Sequence, residues 1–189
     1  VFEVVSSVSA VPLAGVLTLI CVCGRHGLYA FAVYRRAPTL HATDFALPVA
    51  LEHTSANASA AGVGDLVTVL SVDLEGDDLG SGYDIALLFQ LVHYFDDPGL
   101  SSLLAKVRTA LAPGGRIVIL DQLTTSGPLP GALAFLRTLA LQYRVSLGGE
   151  LRSFARIKEA LEAAGFTNVT HTRLLRSPGN ELAIARRPA

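Results

Sequence analysis

"GVLTLICVCGRHG", residues 15–27, is the stretch on which the fold turns. Its first part, "GVLTLICV", is short and continuously apolar, as a strand buried on both faces should be. The remainder is a glycine-containing loop, and "LYAFAVYRR" (28–36) then reads as a helix ending in Arg35 and Arg36, with Pro38 as the stop. Alone, "CVCGRHG" admits three readings: metal ligands at Cys21, Cys23 and His26, a redox pair, or a phosphate-type loop that has lost glycines. A structural zinc wants four donors, and the Cys-x-x-Cys redox spacing is absent. Two cysteines at i and i+2 of a buried strand are expected to behave as small apolar residues, and no metal is expected here.

Working outward, strand-like and helix-like segments alternate. "LHATDF" (40–45) reads as a second strand and residues 48–62 as a helix, with Pro48 near its first turn and Gly62 closing it. "LVTVLSV" (66–72) is β-branched and strand-like. "YDIALLFQ" (83–90) is a fourth apolar strand. Asp97 is read as the cap of a helix carrying Leu103, Leu104, Val107, Ala110 and Leu111 at helical spacing. "APGG" (112–115) is read as its stop, with "RIVILD" (116–121) as a fifth strand. Residues 131–145 and 154–165 read as helices, and two closing strands are joined by "RSPG" (176–179), a hairpin signal. Repeated βα units predict a three-layer, doubly wound, mainly parallel seven-stranded α/β sheet with a C-terminal antiparallel hairpin. Such sheets bind ligands beyond the carboxyl ends of their strands, where strand order reverses. "CVCGRHG" therefore becomes the first place to look.

The bulk numbers fit one domain. The chain has 189 residues, 51% hydrophobic and 16% charged, with a formal net charge of -1. The mean hydropathy is +0.47, so disorder is not expected. No basic excess argues for a nucleic-acid partner. The two cysteines supply no disulfide framework, and a cytoplasmic setting fits. Residues 4–24 carry no charge and match the length of a bilayer span, but Pro12, Gly15 and three serines interrupt them, and no Lys or Arg precedes Arg25. The competing reading, a small apolar helix followed by a buried strand, agrees with the rest of the chain.

From about residue 15 onward the chain resembles the class I S-adenosylmethionine-dependent methyltransferases, more narrowly the catalytic domain of the small-molecule O-methyltransferases. The resemblance is carried by "GYDIALLFQLVHYFDD", "LLAKVRTALAPGGRIVILD", "IKEALEAAGFTNV" and "ELAIARR", in this order and spacing. It implies methyl transfer from S-adenosylmethionine to a hydroxyl of a small aromatic or polyketide-like acceptor. It places a catalytic domain at 15–189, with 1–14 a remnant of the family's N-terminal helical domain. A homodimer is the family habit, but its usual dimerisation domain is missing here.

The resemblance also assigns residues. In the glycine loop the family acid falls at Cys21 and two of the three motif glycines at Cys23 and Arg25, leaving Gly24 and Gly27 to approach the cofactor. The ribose-binding acid at the end of strand two falls on Ala46; Asp44, on the same side of an extended strand, is the substitute. Asp73 would accept the adenine amino group, with Leu74 packing on the ring. Phe89 and Gln90 would face the cofactor pocket. His93 would serve as general base, since a histidine titrates near neutrality. Asp121 and Glu150 are candidates to orient it, with Leu151 an alternative occupant of the family position. A second reading stays open: a methyltransferase-fold relic without efficient cofactor binding, serving as a binding or scaffold domain.

Overall fold

The structure is a computed structural model that describes residues 9–22, 28–46, 48–74, 76–124, 132–174 and 180–189. Seven strands form one sheet: β1 (Thr18–Val22), β2 (His41–Ala46), β3 (Val67–Ser71), β4 (Tyr83–Phe89), β5 (Leu111–Gln122), β6 (Thr167–Arg173) and β7 (Asn180–Arg186). Their order is β3-β2-β1-β4-β5-β7-β6. The first five run parallel, and β7 lies antiparallel between β5 and β6. The doubly wound sheet with a closing antiparallel hairpin is therefore the observed fold. Strand order reverses between β1 and β4, so the crevice at their carboxyl ends is the topological switch point.

Among the described residues the longer α-helices are α1 (Leu28–Arg36), α2 (Leu51–Ala60), α3 (Asp97–Ala110), α4 (Ala132–Leu147) and α5 (Phe154–Ala163). Two apolar clusters sandwich the sheet. One holds Ile20, Phe45, Leu88 and Ile119 against Leu103, Leu104 and Val107 of α3 and Ile157 and Leu161 of α5. The other holds Leu19, Cys21, Ala42, Leu87 and Phe89 against Phe31, Val33 and Tyr34 of α1 and Ala58 of α2. Strand residues alternate between the two, as the two-residue period of a pleated strand requires. Central strands are buried on both faces, which is why β1 and β4 read as unbroken apolar runs.

That placement decides the fate of the uncharged run at 4–24: Thr18–Val22 is a strand at the middle of the sheet. Among the described residues no helix is long and apolar enough to cross a membrane.

Three local readings change. The cap of α3 is Asp96, whose carboxylate accepts from the Gly99 N–H at 2.8 Å, while Asp97 is already helical. The residues of "APGG" lie inside β5, which starts at Leu111 directly after α3. They are drawn into the sheet by the chain's end, since Gly114 N–H donates to Arg187 O and Arg187 N–H to Gly115 O. Cys21, fully buried, is disulfide-bonded, a departure from the expectation of two plain apolar thiols.

Candidate active site

The carboxyl-end rim of the sheet gathers most of the residues singled out in the sequence. Gln90 follows β4 directly, with φ of 52°, an uncommon left-handed conformation for a side-chain-bearing residue. Its N–H is held by Leu120 O at 2.7 Å, and its Nε2 donates to Asn180 Oδ1 at 2.6 Å. The turn this creates sends the chain into a short 3-10 turn, Val92–Tyr94, that carries His93.

His93 is 5% exposed, and its Nδ1 lies 2.7 Å from Oδ1 of Asp121, itself 1% exposed at the end of β5. Asp121 Oδ2 accepts the N–H of Val92 at 2.9 Å and of His93 at 3.4 Å, and Oδ1 also accepts from Gln122 N–H. An ionised carboxylate can only accept, so the imidazole proton sits on Nδ1 and Nε2 is left as the acceptor. The imidazole is stacked against Tyr143 of α4, with centroids 4.4 Å apart and planes 13° apart. On another side Tyr94 packs at 4.4 Å with a 33° tilt. Burial, then the nearby Asp121 and Tyr94, hold the Tyr143 phenol above its ordinary range.

Arg152 completes the frame from below the turn. It is 4% exposed and donates to Val92 O at 3.1 Å, Phe95 O at 2.9 Å and Glu150 O at 3.3 Å. Its Nε and Nη2 both reach Asp97 Oδ1, at 3.1 and 3.0 Å. Neither Arg152, Tyr143 nor Asn180 was singled out in the sequence. Each reaches the site through contacts 21 to 90 residues apart in the chain, for which a single sequence carries no local signature.

Of the two candidates to orient His93, Asp121 is in place. The Glu150 side chain is exposed and lies 3.7 Å from Arg152; only its backbone reaches the turn, its N–H donating to His93 O at 3.0 Å. Leu151 is buried.

The cofactor candidates divide. Asp73 is exposed just past β3, with Leu74 half-buried beside it. The loop carrying them is pinned where Asp77 accepts from Asp73 N–H at 2.7 Å and Lys106 donates to Leu74 O at 2.9 Å. Asp73 and Gln90 thus mark two ends of one rim, β3 and β4 being separated by β2 and β1, roughly 14 Å at ordinary strand spacing. Two candidates lie deeper than the open rim. Phe89 does not line an open wall: it is wholly buried, edge-on to Tyr29 at 5.5 Å, because it alternates onto the α1 side of β4. Asp44 does not reach the strand's open end. It is 2% exposed on the side of β2 covered by α1, opposite Cys21 in the register, and Oδ2 has no hydrogen-bond partner among the described residues. Burial pushes its carboxyl up to about 7. Gly24 and Gly27 lie outside the described residues. Among the described residues no group of His, Cys, Asp and Glu is arranged to hold a metal.

Comparison with known proteins gives the family. The chain is 32% identical over 159 residues to a 3-amino-4-hydroxybenzoate 4-O-methyltransferase of Streptomyces cremeus, covering 81% of this chain and 41% of that protein. It is 27% identical over 170 residues to an L-tyrosine C(3)-methyltransferase of Streptomyces lavendulae, covering 88% and 46%. The structure superposes on an O-methyltransferase family 2 protein of Planctomyces limnophilus solved with apigenin, with a TM-score of 0.82 and 25% identity, covering 96% of this chain and 56% of that one. The chain spans about half the length of these relatives. The O-methyltransferase domain family matches residues 2–167, and the chain belongs to that family.

Proposed function

We propose that this domain transfers a methyl group from S-adenosylmethionine to a hydroxyl of a small aromatic or polyketide-like acceptor. The observation that carries the reading is the buried His93–Asp121 pair at the switch-point end of the sheet. Bound S-adenosylmethionine supplies an electrophilic methyl on a sulfonium. The chain's own part is to hold the acceptor and take its proton. Asp121 fixes the imidazole tautomer so that Nε2 receives the hydroxyl proton, and its charge offsets the imidazolium that forms. Stacked Tyr143 and tilted Tyr94 pack against the ring and restrict its movement.

The residues present fit the cofactor at one end. Asp73 is exposed to accept an exocyclic amino group and Leu74 offers an apolar surface for a purine. Asp44, buried on the α1 side of β2, does not fit the ribose hydroxyls. The alternative of a relic domain is disfavoured by the dyad itself. A scaffold gains nothing from a buried histidine whose tautomer is set by a carboxylate holding four donors.

Calorimetric titration of S-adenosylmethionine and S-adenosylhomocysteine tests the proposal, followed by transfer of a labelled methyl to a panel of phenols. Binding of both and labelling of a phenol are expected. No heat at millimolar cofactor sinks the enzyme reading. A deprotonated phenol can react at oxygen or at a ring carbon, so identifying the product decides between O- and C-methylation.

A further inference from the structure

We propose that Arg152 is a positioning residue for this reaction, acting on the backbone that presents His93; the inference rests on the methyl-transfer reading of the same site. The turn bearing His93 is gripped from two sides. Asp121 takes the N–H groups of Val92 and His93. Arg152 takes the carbonyls of Val92 and Phe95, at 3.1 and 2.9 Å, on either side of His93 and Tyr94. The intervening carbonyl, that of His93, receives Glu150 N–H at 3.0 Å. Three of the four carbonyls from Val92 to Phe95 are thus held by the segment 150–152.

Two features separate this from ordinary packing. A guanidinium is a poor choice for filling a core, since an apolar side chain of similar volume is often as stabilising or more so. Arg152 nonetheless has a side chain only 2% exposed, and its donors go to the His93 turn, its own loop and the outer anchor Asp97. Only a planar fork of donors meets those acceptors together; an ammonium on a flexible stem cannot. The segment also comes within backbone contact of the turn. A Cβ at Gly149 would lie 1.9 Å from His93 O and 2.8 Å from the Tyr94 carbonyl carbon, so no other residue fits without moving one strand of chain. The clamp therefore reports directly on where the imidazole sits relative to an acceptor bound over Nε2.

The test uses R152M and R152K with three readouts on the purified chain: imidazole ¹⁵N shifts of His93 (assigned with H93Q), steady-state kinetics across pH, and S-adenosylmethionine affinity by calorimetry. In folded R152M, His93 is expected to lose its single tautomer, the acid limb of the kcat profile to move, and kcat to fall about 100-fold, with cofactor affinity changed by less than about threefold. R152K is expected to lie between, keeping the charge and losing the fork. Unchanged His93 shifts and kcat in folded R152M overturn the inference, as does a parallel loss of cofactor affinity, which marks a structural role. If R152M does not fold, D97A removes the outer anchor, to one oxygen of which both Arg152 bonds run, while leaving Arg152. It is expected to move the His93 shifts in the same direction by less, and unmoved shifts overturn the inference. Failure of the methyl-transfer reading shows separately, as absence of cofactor binding by the unaltered chain, and the His93 shifts then decide the positioning role alone.

Discussion

Asp121 binds His93 twice, through the imidazole Nδ1 at 2.7 Å and through the backbone N–H at 3.4 Å. One carboxylate therefore sets both the proton on the ring and the peptide that aims it. Asp121→Asn is isosteric but gives a carboxamide that cannot accept at both oxygens. It is expected to lower kcat by about 100-fold or more while leaving cofactor affinity intact. Equal turnover in steady-state assays would remove Asp121 from the chemistry.

His93→Gln removes the proposed base. The expected loss is about 100- to 10,000-fold in kcat, the range of a positioned general base, with little change in S-adenosylmethionine affinity. Single-turnover rates beside calorimetric Kd values separate the two quantities.

Asp73→Ala addresses the other end of the rim. Loss of a charged acceptor for an amino group is expected to weaken cofactor binding about tenfold, without altering kcat at saturating cofactor. An unchanged Kd would reject the adenine assignment.

Asp44 makes stability depend on pH in an unusual window. Its carboxyl is raised from 3.8 to about 7 by burial, so the folded chain keeps the proton after the unfolded chain has released it. Unfolding then releases a proton between those values, and stability falls as pH rises from about 4 to about 7. The full loss is on the order of 4 kcal/mol. Asp44→Asn is expected to flatten this slope, and urea unfolding at pH 5 and pH 8 measures it. The buried Tyr34 phenol, raised by its own burial and by Asp44, is the other titratable group felt there. The lowered carboxyl of Asp97, held chiefly by its hydrogen bond from Arg152, has its effect in a different range, at acid pH below that window.

Asp96→Ala removes the side-chain cap of α3 and is expected to destabilise by about 1 kcal/mol. A shift in the urea midpoint without a change in slope is the readout.

The sequence shows the sheet well because buried parallel strands are continuously apolar, and β1, β4 and most of β5 have no other use for such runs. Punctuation was less legible where distant chain intervenes. "APGG" looks like a stop until Arg187 pairs with Gly114 and Gly115. Adjacent Asp96 and Asp97 are both good caps by residue type, and only the backbone angles separate them. In the site, His93 and Asp121 were readable through the family resemblance, whose segments end or follow apolar strands at these positions. The same-side argument that nominated Asp44 was sound geometry, but it could not show that α1 covers that side of β2. Arg152 was invisible because its burial depends on Asp97 and Phe95, 55 and 57 residues earlier.

The insertion of β7 between β5 and β6 has a consequence for synthesis. β6 has no hydrogen-bonded neighbour in the sheet except β7. Residues 167–173 leave the ribosome before residues 180–186, yet have nothing to dock on until those follow. One edge of the sheet is thus assembled out of chain order, and a nascent chain halted between the two segments exposes the open flank of β5, an unpaired edge of the kind that invites association with other chains.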